Sequence, residues 1–352
     1  MNILFLINYA GGAGTEKYVD NLQRIYTSEG NSCFLAYNIA GRLVETMKER
    51  GIPCLQLGLT KADFKESPKL LADYCKDNKI DVIHVQYPVE NIIAVKSLKY
   101  YSKPNVVLTR HLSDYQGFKW KVLNKIYTPK NHCIICVCDE AAENLVKCGV
   151  AREKIKVIFN GVEYDETPKD NTGGYVFKLV ILARYAKEKG LDFLMESLAV
   201  LKKKTDKKFI LNILGEGEEY DNIAKKIESL GLGEEVKQLG YRTDTKDFLD
   251  DANLYLNSSG SGEAMSFAIL EAMNAGLPVV ATDVGGNSTL VEKNIVCGKI
   301  LKYGDTEAFS NAILEYMNNP ELLKAHSLEA KRKVKEQFDL VKLAHDVYDA
   351  YK

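Results

Sequence analysis

The chain has 352 residues, 46% of them apolar and 27% charged, with 47 Lys and Arg against 48 Asp and Glu for a formal net charge of −1. That length suits two domains with cores of their own, and the balance excludes the global basic field of a nucleic-acid binder. No apolar run approaches the roughly 20 residues of a membrane-spanning helix, and eight cysteines are too few for a disulfide scaffold, which fits a reducing interior.

From the amino end, strand-like apolar runs occur at 3–8, 33–37, 81–86, 106–109, 134–137 and 155–159, separated by amphipathic stretches such as 18–29 and 69–78. The first residues carry no basic flank and run into a Gly-rich turn, so no signal peptide is expected, and the location is expected to be cytoplasmic. A polar segment at 162–174 lacks any apolar period and is the expected linker. The alternation then resumes: strands at 177–183, 209–214, 236–239, 254–257 and 278–282, and helices at 190–203, 221–230, 266–275, 305–317 and 321–351. This is the pattern of parallel sheets flanked by helices. It predicts an α/β protein of two Rossmann-like doubly wound domains, residues 1–165 and 166–339, with the segment 340–352 packing back on the first. Through Asp165 there are 22 Lys and Arg against 18 Asp and Glu, and after it 25 against 30. The neutral total therefore joins a basic half to an acidic one.

Three loops carry candidate chemistry. The strongest is the Gly/Ser loop Ser258-Ser259-Gly260-Ser261-Gly262-Glu263, which leads through Ala264 and Met265 into a helix expected to be capped by Ser266 and to end at Gly276. A helix amino terminus offers unpaired N–H groups to an anion, and small residues let a ligand approach the backbone. Glu263 and Glu271 lie eight residues apart, about 12 Å if the interval is mostly helical. That spacing suits a ligand with hydroxyls at both ends and a phosphate between, although an amphipathic helix with two solvated glutamates explains it equally well. Arg184 at a strand's carboxyl end, with Lys189 five residues on, could hold a diphosphate without a metal. A solvated turn is the plainer reading of that pair. Gly11 and Gly12 form a Gly-rich turn after the first strand, but the dinucleotide spacing fails and no P-loop lysine follows.

His111 follows a strand and would sit at a ligand edge of the first sheet. Cys133, Cys136 and Cys138 lie inside an apolar run without a second ligand pair at zinc spacing, so buried thiols are expected and no metal. Between Lys96 and Lys130 there are eight basic residues (Lys96, Lys99, Lys103, Arg110, Lys119, Lys121, Lys125 and Lys130) against one acidic, Asp114, with aromatics interleaved. This composition fits an anionic membrane surface or a polyanionic acceptor, or simply a solvated helix face.

Taken together, the Glu263-x7-Glu271 motif, the Gly11-Gly12 loop, His111, Asn160-Gly161-Val162, Arg184-x4-Lys189-Gly190 and Leu214-Gly215-Glu216-Gly217 resemble the retaining glycosyltransferases of family 4, which have the GT-B fold of two domains facing across a cleft. The resemblance implies that Glu271 binds the ribose of a nucleotide-diphosphate sugar. Glu263 would bind a hydroxyl of the donor sugar, with the backbone N–H groups of Ala264, Met265, Ser266 and Phe267 nearby. Arg184 and Lys189 would neutralise the diphosphate, and Gly11 and Gly12 would close over it. His111 would reach the sugar near the breaking bond, and the loops at Gly215 and at Tyr241-Arg242 would meet the nucleotide. It further implies a donor that is a UDP-sugar, no cofactor, a glycan or glycolipid acceptor, cell-surface glycan synthesis, and a peripheral membrane contact. Three departures stand out: Ala264 replaces the glycine usual after the first glutamate, Thr289 stands where a glutamate often follows the later Gly-Gly turn, and the stretch 293–298 is less Gly-rich than usual. A sugar-nucleotide epimerase, a phosphorylase or an inactive nucleotide-binding scaffold are the alternatives this sequence pattern leaves.

Overall fold

A computed structural model of the chain describes residues 1–11, 14–113, 117–167, 169, 171 and 174–352. The contacts divide into two units, Met1–Asn160 with Leu340–Lys352, and Gly161–Asp339.

The first unit holds seven parallel strands: β1 Asn2–Tyr9, β2 Ser32–Ile39, β3 Cys54–Gln56, β4 Val82–Val85, β5 Asn105–Arg110, β6 Cys133–Cys136 and β7 Ile155–Val157. Their order in the sheet is β3-β2-β1-β4-β5-β6-β7. Parallel sheets are covered on both faces, so their strands read as continuous apolar runs. The β4 sequence VIHV and the β6 sequence CIIC are buried at every position. The cysteines there are core residues; among the described residues no disulfide forms, and burial pushes the Cys133 thiol up to about 11 and Cys136 to about 12.

His84 is the one ionisable residue inside β4 and is fully buried. Its Nδ1 meets the Tyr351 hydroxyl and its Nε2 the Thr109 hydroxyl, both at 2.6 Å. Tyr26 Oη donates to the Ala344 carbonyl at 2.8 Å, and Asn105 Nδ2 to the Tyr351 carbonyl at 3.0 Å. These bonds seat the helix Leu340–Asp349 and the residues after it on the first sheet.

The second unit holds six parallel strands: β8 Val176–Leu182, β9 Lys208–Leu214, β10 Val236–Gln238, β11 Leu254–Asn257, β12 Val279–Thr282 and β13 Gly298–Leu301, in the order β10-β9-β8-β11-β12-β13. The helix Leu191–Lys204 buries Leu191, Leu194, Met195, Leu198 and Leu201, a stripe at helical spacing that fills the core beside Phe309 and Ile313.

Two expectations need correction, and some elements were not expected at all. The continuous helix expected over 321–351 is two helices, Pro320–Gln337 and Leu340–Asp349. The break comes where the Phe338 carbonyl accepts from Val162 N at 3.0 Å and Asp339 forms a parallel bridge with Val162. The segment expected as a linker is anchored over its described part: Asn274 Oδ1 accepts from Asp165 N at 2.9 Å, and Asn171 Nδ2 donates to the Asn253 carbonyl at 2.7 Å. Finally, β3, β13 and the short helices Thr245–Asp251 and Asn287–Val291 carry too few periodic residues to stand out in the sequence.

Candidate functional site

In the second sheet the chain winds one way from β8 to β10, then crosses to the other side at β11. At such a switch point the loops leaving neighbouring strands part and open a crevice at the carboxyl edge. The loop after β8 carries Arg184 and Lys189, and the loop after β11 carries Ser259 and Glu263. The helix Phe267–Asn274 starts beside them, capped by Ser266, whose Oγ accepts from Ile269 N at 3.4 Å.

Glu263 is 8% exposed. Its Oε1 accepts from Lys189 Nζ at 2.5 Å and from Ser259 Oγ at 2.8 Å. The loop around it is itself held: Thr282 Oγ1 donates to the Ser259 carbonyl at 2.6 Å, and Gly286 N to the Ala264 carbonyl at 2.6 Å. Gly285 has φ +57°, and a Cβ there would lie 2.1 Å from the Glu263 carbonyl oxygen. Only glycine fits that turn.

Ala264, Met265 and Ser266 are buried, so this stretch presents backbone more than side chain. Along the helix, Ile269, Leu270, Ala272 and Met273 are buried, while Phe267, Ala268, Glu271 and Asn274 are half-buried. Glu271 therefore lies on the accessible face, one turn beyond Phe267. The helix covers only the second half of the interval from Glu263 to Glu271, so the separation expected for a mostly helical interval does not apply.

The two cations were expected to face a ligand together. Each has a carboxylate partner within this chain: Arg184 pairs with Glu188, and Lys189 with Glu263. The Arg184 side chain is 68% exposed and the Lys189 side chain only 23%. Arg184 holds the Glu188 carboxyl below its ordinary range, after a larger contribution from that residue's own backbone N–H.

Gly215 packs against this loop. Its φ is +145°, a Cβ would lie 2.0 Å from the Ala183 carbonyl oxygen, and its N–H donates to the Gly240 carbonyl at 2.8 Å. Tyr241 follows and is 58% exposed, with its N–H 3.4 Å from Glu216 Oε1. The Arg242 side chain turns to Asp244, pairing through Nε at 2.8 Å and Nη2 at 2.5 Å, and stacks over the Phe248 ring.

The first sheet has its own switch point between β1 and β4. Tyr9, Leu59, Tyr87, Pro88 and Val89 line a depression of about 690 Å³ there, with Glu16 and Glu90 at its floor. Burial pushes the Glu90 carboxyl up to about 7, although its Oε1 accepts from Asn8 N at 3.0 Å. Gly11 is buried, its N–H donating to Glu16 Oε1 at 3.2 Å. Gly12 lies outside the described residues.

His111 is half-buried just past β5. Its Nε2 is 2.9 Å from Gln86 Oε1, and the Tyr18 ring meets it edge-on at a centroid distance of 4.9 Å. Burial, then the neighbouring Arg110 guanidinium, lowers the imidazole from its ordinary value near 6.5 to about 3.

The basic run from Lys96 to Lys130 does not form one patch. Lys96 stacks over Phe64, Lys103 pairs with Asp81, and Arg110 is buried. Lys99 and Lys130 are exposed outside the helix Phe118–Tyr127, which itself has Phe118, Val122 and Ile126 exposed at every fourth position beside exposed Lys119 and Lys125. Among the described residues, no helix is long and apolar enough to cross a membrane.

Four supporting residues escape a reading of the sequence. Glu188 stands four residues after Arg184, a spacing that charge patterning can flag. Ser259 and Gly285 sit in small-residue loops where nothing separates them from their neighbours. Gln86 meets His111 across 25 positions, and no local signal reports that.

Two family models divide the chain between them: Glycosyltransferase Family 4 matches residues 13–166, and Glycosyl transferases group 1 matches residues 166–333. The UDP-Gal:alpha-D-GlcNAc-diphosphoundecaprenol alpha-1,3-galactosyltransferase of Escherichia coli is 25% identical over 311 residues, covering 82% of this chain and 80% of that one. The lipopolysaccharide core biosynthesis glycosyltransferase LpsE of Rhizobium meliloti is 27% identical over 294 residues, covering 77% and 82%. Among solved structures, HepE of Anabaena in complex with UDP superposes with a TM-score of 0.85 at 20% identity, over 99% of both chains.

Proposed function

The chain belongs to the family 4 glycosyltransferases, with the GT-B fold, and from that premise we propose that it is a retaining hexosyltransferase that uses a UDP-sugar. The observation that carries this reading is the cluster at the second switch point. A buried carboxylate, the Lys189 ammonium paired with it and a capped helix start meet where doubly wound sheets bind ligands, with Arg184 on the same loop as Lys189.

In this reading Glu271 accepts hydrogen bonds from the ribose diol, and Glu263, with the N–H groups from Ala264 to Phe267, holds a hydroxyl of the donor sugar. Arg184 and Lys189 take the diphosphate, and His111 takes a sugar hydroxyl near the anomeric carbon. Gly11 is assigned to the phosphates, while Gly215, Tyr241 and Arg242 frame the base, Arg242 through its backbone because its side chain is committed to Asp244.

The reaction breaks the bond from the anomeric carbon to the diphosphate oxygen, and UDP leaves with the electron pair. Charge therefore grows on the diphosphate in the transition state, where fixed cations and helix N–H groups lower the barrier most. The acceptor oxygen attacks from the same face and passes its proton to the departing phosphate, which preserves the anomeric configuration. These groups supply the stabilisation without a metal.

The acceptor is a glycan or lipid-linked glycan of cell-surface biosynthesis, a reading supported by the similarity to an enzyme named for a diphosphoundecaprenol substrate and to one of lipopolysaccharide core biosynthesis. The protein works in the cytoplasm at the inner face of the membrane. The exposed Phe118, Val122 and Ile126 with Lys119 and Lys125 form the contact, since apolar residues interleaved with lysines suit an anionic lipid surface.

Calorimetry with UDP, GDP and their sugars, followed by mass spectrometry of slow donor hydrolysis, tests the donor. UDP binding that weakens at least about tenfold in Glu271→Ala is expected from the loss of charged hydrogen bonds. Binding of no nucleotide diphosphate, or unchanged affinity in that variant, overturns the donor assignment. Sedimentation with vesicles containing anionic lipid tests the membrane contact, which Phe118→Ser with Ile126→Ser should abolish.

A further inference from the structure

His111 has two ring nitrogens, and the neutral ring carries a hydrogen on only one of them. Which one decides whether it offers a ligand a donor or an acceptor. The neighbour that settles this is Gln86, fully buried just past β4.

The two ends of its amide are chemically distinct. Gln86 Nε2 donates to the His84 carbonyl at 3.1 Å, and a carbonyl can only accept. That fixes the amide with Oε1 toward His111 Nε2, 2.9 Å away. An amide oxygen is also an acceptor only, so the hydrogen between them belongs to His111 Nε2. The Gln86 backbone is itself held, its N–H donating to the Leu6 carbonyl at 3.2 Å. Tyr18 and Tyr87 flank the imidazole at centroid distances of 4.9 and 6.3 Å and limit its rotation.

We propose that Gln86 is a positioning residue that fixes His111 with its hydrogen on Nε2, leaving Nδ1 as a lone-pair acceptor for a hydroxyl of the transferred sugar. This rests on the assignment of His111 to the donor sugar. Among the described residues, no hydrogen bond reaches Nδ1. A sugar that presents a hydroxyl there is favoured, and one that presents a carboxylate, which has only lone pairs to offer, is refused. The neutral state of the ring follows from its burial and from Arg110 beside it; the other groups facing it are His84 on β4, Tyr18 on the helix Gly14–Ser28, and Tyr87.

The test uses the full chain labelled with ¹⁵N-histidine, with the His111 ring signals identified by their loss in His111→Asn. A protonated Nε2 and an unprotonated Nδ1 from pH 6 to 8 are expected in the unsubstituted protein. Gln86→Leu should mix the two ring forms and slow sugar transfer or donor hydrolysis at least about tenfold, with UDP affinity unchanged within about twofold because UDP lacks the sugar. Gln86→Glu should hold the ring doubly protonated to higher pH. A hydrogen on Nδ1 in the unsubstituted protein overturns the proposal, as does Gln86→Leu with unaltered ring signals and rate. The ring signals are read without any nucleotide, so a protein that shows the expected form but binds no UDP refutes the donor assignment and leaves the role of Gln86 in place.

Discussion

At the scale of single residues, the two cations on the loop after β8 are each occupied by a carboxylate of this chain. Arg184 and Glu188 form an exposed pair, and such pairs are worth about 0–1 kcal/mol. A diphosphate must displace Glu188 to reach the guanidinium, so the carboxylate competes with the donor. Glu188→Gln should therefore tighten UDP binding by up to about fivefold, a change within reach of calorimetry. Equal or weaker binding would show that Arg184 does not meet the phosphates. Lys189 differs: its partner Glu263 is buried and also held by Ser259, so that pair belongs to the resting architecture of the loop. The type and position of Arg184, Lys189, Glu263 and His111 are legible in the sequence because each follows a strand in a recognisable loop. Their partners are not, because pairing between Lys189 and Glu263 spans 74 positions and that between His111 and Gln86 spans 25.

At the scale of elements, the turns that carry the site depend on glycine. Gly190 caps the helix Leu191–Lys204 with φ +59°, and a Cβ there would lie 2.2 Å from the Ser258 carbonyl oxygen. Gly190→Ala meets both a left-handed backbone and a backbone clash, and a cost of about 1–3 kcal/mol is expected. Thermal unfolding should register that loss, and donor affinity should fall with it, since the Lys189 and Ser258 loops would be pushed apart. Unchanged melting would mean the turn relaxes freely. The long strands are legible because burial on both faces makes them apolar runs, unbroken over residues 3–7 of β1 and 179–182 of β8. Three-residue strands such as β3 are too short for periodicity to register. The break between Gln337 and Leu340 is invisible for a different reason, since it is made by Val162, far away in sequence.

At the scale of the whole molecule, stability depends on keeping histidines neutral. Burial lowers both His84 and His111 to about 3, below the value near 6.5 of an unfolded chain. Between these values the unfolded state binds the extra protons, so stability is fully present above about pH 6.5 and is lost as pH falls toward 3, by about 1.4 kcal/mol per pH unit for each ring. Glu90 acts in the opposite sense: with its carboxyl raised to about 7, acidification from 7 toward 4.5 favours the fold. Urea unfolding at pH 7, 6 and 5 should show His84→Asn less stable at pH 7 but with a shallower loss on acidification. Equal slopes in the two proteins would exclude His84 as a source.

The same histidine touches Tyr351, and that contact has a consequence for biosynthesis. The residues that complete the first sheet's packing are made after all of Gly161–Asp339. On the ribosome the second unit has its whole sequence available while the first still lacks Leu340–Lys352. Amino-terminal domains ordinarily fold first during synthesis. Here the order of completion is inverted, and the face of the first unit that receives Tyr351 waits uncovered until the sequence of the second unit has been made.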